Sequence, residues 1–305
     1  MLAAAANEGD QMAAVVDRRS FLLPRAVAPD AEIFAVGDIH GRPDLLRALL
    51  DEAAREPRRR ERRTVVFLGD LVDRGPDSLG AIDLALGAAD RIGADEAVHL
   101  MGNHEAMMRL ALDPKAPWDD ALDALETWLM NGGGAVVRQF AHFEAAPPGP
   151  EELLTLVRVA LPARVRDWLE SLKSHWRSNG LLFVHAGVNP RMDLNAFLAA
   201  PWNAPLARLD EERHWAWVRW PFLEHRPGAD GFSGLFVVHG HTPNDASPHA
   251  TPELQIARFR LNLDAGSGLT GMARLAIFRG AEVKLVTALG PTNRMLADQF
   301  SSSSG

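Results

Sequence analysis

Five short apolar segments of this chain each run directly into a loop in which glycine is joined by Asp, Asn or His. The segments cover residues 33–36, 64–68, 97–101, 181–184 and 235–238, and the loops that follow them read GDIHG, GDLVDRG, GNHE, HAG and GHT. Apolar runs of this length that end at glycine are typical of buried strands in a parallel sheet. Because open α/β sheets bind ligands outside the carboxyl ends of their strands, we expect the five loops to lie along one sheet edge.

The side chains in these loops are of the kinds that bind divalent metal ions. Imidazole nitrogen suits zinc, iron and manganese, whereas carboxylate and amide oxygens favour harder ions, so a mixed set indicates a pair of first-row divalent ions. A single Gly-Asp-x-His-Gly loop also has a plainer explanation, an Asx turn beside a solvated histidine. Five such loops favour the metal site. The chain has no cysteine, which leaves any metal to His, Asp, Asn and Glu.

The spacing of apolar residues predicts helices between the first strands. Leucines 45, 46, 49 and 50 have helical spacing within residues 44–55, and residues 79–89 form a second predicted helix that ends near Gly93. Residues 30–110 are therefore expected to form a β-α-β-α-β series with a parallel sheet.

The segment of residues 106–180 is longer than a crossover between two strands requires. Residues 118–130 and 151–172 predict helices on either side of an Asn131-Gly132-Gly133-Gly134 sequence. The triple glycine is interpreted as a loop or helix end; a phosphate cradle is the alternative, although no strand precedes it. We expect this helical insertion to take part in substrate selection.

The five motifs, in this order, resemble those of the binuclear metallophosphatases of the phosphoprotein phosphatase family, specifically the bacterial serine/threonine phosphatases and diadenosine tetraphosphatases. They extend over residues 37–242, most of the chain. The resemblance implies an α/β fold, a four-layer αββα sandwich with two central mixed sheets. It also implies one domain over residues 31–290 with the insertion at about 106–180, an irregular lead-in at 1–30 and a tail at 291–305. Predicted strands at residues 260–263, 273–278 and 282–286 would complete the second sheet.

The same resemblance assigns a role to each motif residue. The implied metal ligands are Asp38 and His40 for the first ion, Asn103, His185 and His241 for the second, and Asp70 as the bridge between them. His104 would be the general acid, held by Asp73. The substrate phosphate would be bound by Arg74, Arg219 and Asn103.

Several of these residues have alternative explanations. Asp73 and Arg74 could form a surface ion pair of little energetic value. Arg219 lies in the aromatic sequence HWAWVRWPF and could stack on an indole instead of clamping phosphate. His239, two residues before His241, would face the same side of an extended chain and could be an extra ligand, although a histidine that supports a ligand is the favoured interpretation.

Three further details bear on the resemblance. The sequence Gly240-His241-Thr242 is followed by Pro243, at the position where related phosphoesterases outside this family usually have a second ligand histidine. Many protein phosphatases have arginine immediately before GNHE, and here that position is Met101. Asp264, in the sequence DAGSG, is interpreted as a turn residue and not as a ligand.

Composition and charge exclude some classes of partner. The net charge of −8 argues against a general nucleic-acid binder, and the arginine-rich residues 58–63 are interpreted as a solvated connector. No segment reaches the ~18 consecutive apolar residues that a membrane helix needs. The alanines of residues 1–6 are soon followed by charged residues, unlike a signal peptide. We therefore expect a cytoplasmic protein with neither a nucleic-acid nor a membrane partner.

The expected function is metal-dependent hydrolysis of phosphomonoesters, above all phosphoserine and phosphothreonine in proteins. The implied cofactors are two divalent ions, manganese before iron, zinc or nickel, and the implied nucleophile is a hydroxide that bridges them. The partner would be a phosphorylated protein or a small phosphate ester. One alternative is a dinucleoside polyphosphate hydrolase, and another is a phosphate-binding or scaffold protein that has lost activity.

Overall fold

The computed structural model describes residues 13–141, 148–243 and 251–292. Within these ranges the strands are β1 (Ala14–Leu22), β2 (Ala31–Val36), β3 (Arg62–Phe67), β4 (Glu96–His99), β5 (His175–Ser178), β6 (Leu181–Val184), β7 (Phe236–His239), β8 (Arg260–Asn262), β9 (Met272–Arg279) and β10 (Glu282–Leu289). The α-helices there are α1 (Pro43–Arg55), α2 (Ser78–Leu86), α3 (Ala88–Ile92), α4 (Asn103–Leu112), α5 (Trp118–Trp128), α6 (Gly134–Phe140), α7 (Pro150–Ala160), α8 (Ala163–Ser171), α9 (Leu194–Leu198), α10 (Trp220–Leu223), α11 (Pro252–Ile256) and α12 (Ser267–Thr270).

The strands form two mixed sheets. The first has the order β1-β10-β9-β2-β3-β4, and the second has the order β5-β6-β7-β8. Strands β2, β3 and β4 are parallel, with α1 between the first two and α2 and α3 between the last two. The β-α-β-α-β series predicted from residues 30–110 is therefore confirmed.

The two sheets pack face to face because their strands are apolar on both sides. On β2, Ile33 and Ala35 belong to an apolar cluster that also contains residues of the second sheet, including Phe183 and Val238. The alternate residues of β2 pack in the cluster that contains the leucines of α1. Between the sheets, the rings of Phe183 and Phe278 meet edge to face with centroids 5.6 Å apart. Because each central strand is covered by helices on one face and by the other sheet on the opposite face, its sequence is a continuous apolar run. These layers form the predicted αββα sandwich.

Two predictions about the sheets were wrong. Strands β9 and β10 belong to the first sheet, because β9 pairs with the edge of β2 that faces away from β3; only β8 of the three C-terminal strands joins the second sheet. The motif loops also do not follow strands of one sheet. Three of them follow β2, β3 and β4, and two follow β6 and β7 of the second sheet. Face-to-face packing of the sheets nevertheless brings the loop ends together.

The prediction of an irregular segment at residues 1–30 was wrong for residues 14–22. These residues form β1, which pairs antiparallel with β10 from Leu22 opposite Glu282 to Ala14 opposite Leu289, with an irregularity between Val15 and Asp17. An edge strand buries little of its surface, so its sequence AVVDRRSFL lacks the apolar run that revealed the central strands. The predicted tail falls almost wholly on residues 293–305, which lie outside the described residues, as do residues 1–12.

The segment at residues 106–180 is mostly helical, as predicted. The predicted helix at 118–130 is α5 followed by a π turn at Leu129–Gly133, and the one at 151–172 is divided into α7 and α8 at Pro162. Proline cannot continue a helix from the preceding turn, which explains the break. Strand β5, near the end of the segment, was not predicted. No helix of the described ranges is both long and apolar enough to cross a membrane.

A buried ion-pair cluster at the start of β2 offers a test of fold stability. The carboxylate of Glu32 is fully buried and accepts hydrogen bonds of 2.8 Å from the Nε atoms of both Arg63 and Arg279. Replacing Glu32 with alanine removes the carboxylate partner of Arg63 and one of the two carboxylate partners of Arg279, which keeps Glu56, so we expect the free energy of unfolding to fall by about 3–5 kcal/mol. Urea denaturation measures this change. Asp30→Ala, which removes an exposed partner of Arg62, is the control and should have a much smaller effect; equal effects would contradict the argument.

Candidate metal centre

The motif loops share an uncommon backbone conformation. Eight residues other than glycine have positive φ in the described ranges, and five of them lie in these loops: His40, Asp70, Asp73, Arg74 and His241. Left-handed backbone conformations are costly for side chains larger than glycine and tend to occur at functional sites. The loops are thus built to aim particular side chains at one place.

Side chains of the motif loops form two groups of three potential metal ligands that share Asp70. One group is His40, Asp70 and His104, and the other is Asp70, His185 and His241; all five residues are buried, and the ligand atoms of each group lie within 4.8 Å of one another. Oδ2 of Asp70 lies 3.7 Å from Nε2 of His40 and 3.9 Å from Nε2 of His104, while Oδ1 lies 3.4 Å from Nε2 of His185. Each carboxylate oxygen of Asp70 therefore faces a different group.

Hydrogen bonds to backbone carbonyls fix the orientation of two imidazoles. Nδ1 of His40 donates to the carbonyl oxygen of Val72 over 3.0 Å, and Nδ1 of His185 donates to that of Leu68 over 2.9 Å. A carbonyl can only accept, so Nδ1 carries the proton and Nε2 of the neutral ring presents a lone pair to the site. This is the orientation that metal-binding histidines adopt.

Around Nε2 of His185, in the second group, hydrogen-bond acceptors converge. Nε2 of His185 lies 3.2 Å from Oδ1 of Asn103 and 3.4 Å from Oδ1 of Asp70. Nδ1 of His241 lies 2.9 Å from the same Asn103 oxygen, and its Nε2 is buried without a hydrogen-bond partner among the described residues. Because Nδ1 of His185 carries the proton, the lone pairs of its Nε2 and of the Asn103 and Asp70 oxygens repel one another at these distances unless a cation lies between them. The donor set therefore fits a divalent metal ion.

Around the first group, the guanidinium of Arg74 supplies positive charge. Its Nη1 lies 2.8 Å from Nε2 of His40, and its Nη2 lies 3.0 Å from Nε2 of His104. Gly132, with φ of +108°, lets the π turn approach closely, because a Cβ atom there would lie 2.8 Å from Cγ of Arg74. The carbonyl oxygen of Gly132 also accepts a hydrogen bond from the amide of Arg74. The triple glycine is thus a helix end that packs on the Arg74 loop.

The protonation states agree with a metal-binding role. Burial lowers the pKa of His40, His185 and His241, which keeps these rings neutral. Burial opposes ionisation of Asp70, but the histidines around it, among which His104 has a raised pKa, outweigh burial and hold the pKa of Asp70 below its ordinary value. Neutral imidazole and ionised carboxylate are the forms that bind metal ions.

His104 differs from the other histidines because it has a carboxylate partner. Its Nδ1 lies 2.5 Å from Oδ2 of Asp73, and the indole nitrogen of Trp128 donates to both oxygens of Asp73 over 2.8 and 2.9 Å. Burial alone would lower the pKa of His104, but the charges of Asp70 and Asp73 outweigh it and raise that pKa. The ring of His104 is therefore held by a buried carboxylate, in an arrangement that can carry a proton at the edge of the site.

Asp38 and Arg219 lie beside these groups. The fully buried carboxylate of Asp38 accepts a hydrogen bond from the amide of His241, 3.1 Å from Oδ2, and is in neither group of three. Burial and the nearby Asp264 raise the pKa of Asp38. Arg219 is half-buried, and its charge contributes to lowering the pKa of His185 and of His241.

His239 and Asp264 lie near the site without entering either group. The ring of His239 packs edge to face against Phe222, with centroids 4.9 Å apart. The positive φ of His241 turns the chain, so the two histidines do not share one side as an extended strand would require. Asp264 accepts a hydrogen bond from the amide of Gly266 over 2.8 Å, as a turn residue does, and is fully buried beside Asp38.

Two supporting residues were missed by the sequence reasoning. Glu105 accepts hydrogen bonds of 2.8 to 2.9 Å from the amides of Asp70, Leu71 and Gly102, and so fixes the loop that carries the shared carboxylate. Its place as the last residue of GNHE was a usable signal, because a glutamate at the third position of a helix reaches back to amides at the helix start. Trp128 had no comparable signal among eight tryptophans.

The role of Glu105 gives a second prediction. Glu105→Gln keeps the side-chain volume but replaces one acceptor oxygen with a donor that faces a backbone amide. We expect the free energy of unfolding to fall by about 1–3 kcal/mol, because a buried amide loses its partner, and manganese affinity to fall about 10- to 100-fold, because the Asp70 loop loosens. Denaturation and isothermal titration calorimetry measure the two effects. The exposed Glu211→Gln is the control, and unchanged manganese affinity in Glu105→Gln would refute the positioning role.

The sequence matches a known protein family over most of its length. Residues 31–266 match the family described as calcineurin-like phosphoesterase. The chain belongs to the calcineurin-like phosphoesterase family. This confirms the predicted metallophosphatase resemblance and the fold class. The family implies divalent metal ions, and the two groups around Asp70 are the candidate ligands in this phosphoesterase chain.

Individual relatives divide between two activities. This phosphoesterase chain is 37% identical to serine/threonine-protein phosphatase 1 of Salmonella typhimurium over 113 residues. The alignment covers 37% of this chain and 44% of that protein. Over 161 residues, 52% of the chain, it is 42% identical to the symmetrical bis(5'-nucleosyl)-tetraphosphatase of Aeromonas hydrophila, covering 45% of that protein. The chain thus spans less than half of the length of these two curated relatives.

A solved structure shows the fold independently. The cold-active protein-tyrosine phosphatase of a psychrophilic Shewanella aligns with a TM-score of 0.50 at 18% identity, over 83% of this chain and 78% of that one. At this identity the likeness concerns the fold alone.

Proposed function

We propose that this chain hydrolyses phosphate esters with two divalent metal ions held around Asp70. The observation that carries the proposal is the buried, ionised carboxylate of Asp70, which turns one oxygen to each of two ligand groups. A shared anion is what two neighbouring cations require, since it offsets part of their mutual repulsion. The convergence of acceptor atoms at His185, Asn103 and Asp70 supports a cation between them.

The proposed ligands are those that the motifs implied. They are Asp38 and His40 for one ion, Asn103, His185 and His241 for the other, and Asp70 for both. Bound divalent ions would offset the negative charge of the phosphate and favour a deprotonated water as nucleophile at neutral pH. Manganese is the ion that we propose, and elemental analysis of protein purified without added metal tests it.

The chain's own side chains supply the remaining steps. His104, whose pKa is raised by Asp70 and Asp73, would donate a proton from Nε2 to the departing oxygen once Nη2 of Arg74, which lies 3.0 Å from that nitrogen, has turned to the phosphate. Arg74 on one side and Arg219 on the other would bind the phosphate oxygens, for which the planar guanidinium is suited. Because residue 101 is methionine and not arginine, Arg74 and Arg219 would make the cationic contacts to phosphate.

The substrate that we propose is phosphoserine or phosphothreonine in proteins. Exposed apolar side chains near the proposed phosphate contacts support a protein surface as partner. Met130, which is 87% exposed, lies in the π turn that packs on Arg74, and Trp220, which is 59% exposed, follows Arg219. Leu269, which is 68% exposed, follows Gly268, whose position contacts Arg74. Hydrolysis of a dinucleoside tetraphosphate is the second candidate, and the longer alignment with the Aeromonas tetraphosphatase favours it.

One comparison separates these candidates. Manganese-loaded protein is assayed for kcat/KM on phosphoserine and phosphothreonine peptides and on diadenosine tetraphosphate, with Asp70→Asn as the inactive control. We expect the peptides to be the better substrates. A higher kcat/KM on the tetraphosphate would transfer the assignment to the second candidate. Absence of turnover on both these substrates and p-nitrophenyl phosphate would refute both and favour a binding or scaffold role.

A further inference from the structure

A cavity lies in the helical segment, and none of the proposed metal ligands lines it. It has a volume of about 660 Å³, within the ~300–1,000 Å³ range of small-molecule sites. Helices α4, α7 and α8 and the segment after α9 form its walls. Helix α4 also carries Asn103 and His104 at its first turn, so the cavity and the metal centre lie at opposite ends of one helix.

The charge of the cavity is opposite to that of the chain. Its lining contains four cationic side chains, Arg109, Lys115, Arg158 and Arg166, and two anionic ones, Asp113 and Glu170. None of the four cations has a carboxylate oxygen within 4 Å among residues 13–141, 148–243 and 251–292. In a chain of net charge −8 this is a local excess of positive charge.

An arginine of α8 that lies outside the cavity is paired with a carboxylate, in contrast to the four cations of the lining. Arg164, two residues from Arg166 on α8, binds both carboxylate oxygens of Asp83 over 2.8 and 3.1 Å. Arg158 instead donates to the backbone carbonyls of Ala111 and Asp113 over 3.0 and 2.8 Å, at the end of α4. Burial lowers the pKa of Arg109 and of Arg158, so each cation is partly desolvated without full compensation by an anion. An anionic ligand would supply that compensation.

The cavity also has a flat apolar part. The guanidinium carbon of Arg109 lies 3.8 Å from the ring centre of Trp202, a cation–π arrangement that holds both side chains in place. The buried residues Leu112, Leu161 and Leu169 complete the wall. Cations beside an aromatic and aliphatic surface match a ligand that has both charge and a ring.

We propose that this cavity binds a small organic anion in which a phosphate-like dianionic group is attached to a flat ring. Arg109, Arg158 and Arg166 would hold the anion, and Trp202 with the leucines would hold the ring. The anion could be a distant part of a long substrate of the metal centre or a separate molecule, and the chemistry recognised is the same in both cases.

Calorimetric titration of the chelator-treated full chain with phenylphosphonate tests the proposal, because the carbon–phosphorus bond of this probe is not a phosphate ester. We expect binding that weakens about tenfold in Arg166→Met, since a charge-assisted contact is lost. Arg166 is exposed, so its replacement does not endanger the fold. Arg164→Met, on the same helix but outside the cavity, is the matched control and should bind like the wild type.

Two further titrations complete the test. Methylphosphonate, which has the charge without the ring, should bind at least several-fold more weakly than phenylphosphonate, and Trp202→Leu should remove that difference. Equal binding of the two phosphonates to the wild type, or equal binding of phenylphosphonate to Arg166→Met and Arg164→Met, would overturn the proposal.

The source of the anion is decided by steady-state kinetics on the metal-loaded chain. A higher KM of Arg166→Met for diadenosine tetraphosphate, with p-nitrophenyl phosphate unaffected, would show that the cavity holds part of a long substrate. Unchanged KM values, together with weaker binding of phenylphosphonate to Arg166→Met, would show that the cavity binds a separate molecule. Because the titrations need no catalysis, they remain informative if the proposed activity is wrong.

Discussion

Asp70→Asn should retain the fold and lose metal-dependent hydrolysis. The amide keeps the shape of the side chain but removes the negative charge that both ligand groups share. The mutual repulsion of two cations at this site would then no longer be offset. We expect the metal content to fall from about two ions per chain to one or fewer, and kcat/KM on p-nitrophenyl phosphate to fall by about 10³-fold or more, since the metals are to supply several kcal/mol of charge stabilisation. Elemental analysis and initial-rate assays at saturating manganese measure these effects.

The control for this variant is Asp90→Asn, an exposed aspartate of α3 remote from the motifs. It changes the net charge in the same way and should leave metal content and activity unchanged. Circular dichroism and thermal melting verify that both variants fold. Two ions per chain and near-normal turnover in Asp70→Asn would contradict the shared-carboxylate arrangement and the proposed function with it.

His104→Ala should keep the metal and lose turnover. The ring of His104 is bound to Asp73 and directs Nε2 into the site, as a proton donor requires. General acid catalysis contributes about 10²- to 10⁴-fold, so we expect a decrease of that size in kcat on a phosphoserine peptide. The decrease should be smaller on p-nitrophenyl phosphate, because nitrophenolate departs readily without a proton. A larger decrease on the peptide than on p-nitrophenyl phosphate is expected only if His104 acts as the general acid.

The position of His104 also offers a competing explanation. It lies with His40 and Asp70 in one group of potential ligands, whereas Asp38 lies outside both groups. If His104 were a ligand, its replacement would reduce metal content and activity together. The loss of activity would then be equal on the phosphoserine peptide and on p-nitrophenyl phosphate. Asp38→Asn provides the comparison, because we expect it to reduce metal content. Loss of metal in His104→Ala with full occupancy in Asp38→Asn would exchange the roles of the two residues.

The motif residues could be found from the sequence because each follows its strand directly. An apolar run such as residues 64–68 identifies a strand, and Asp70 then lies at the strand end whatever the rest of the fold does. The same locality made the helices of residues 44–55, 118–130 and 151–172 predictable. Strand β1 was missed because an edge strand has little burial to reveal it, and the sheet to which β9 and β10 belong depends on pairing with a strand more than 200 residues earlier.

The sequence by itself determined which chemical groups are available and that each stands at the end of an apolar strand, because both properties are local. Only the tertiary structure decided that two sheets, rather than one edge, bring the groups together, and that Asp70 turns one oxygen to each side. It also decided that Glu105 and Trp128 hold the loops, and that the amide of His241 meets the carboxylate of Asp38 across 203 residues of chain. Such contacts depend on how the sheets pack, and no short pattern in the chain encodes that packing.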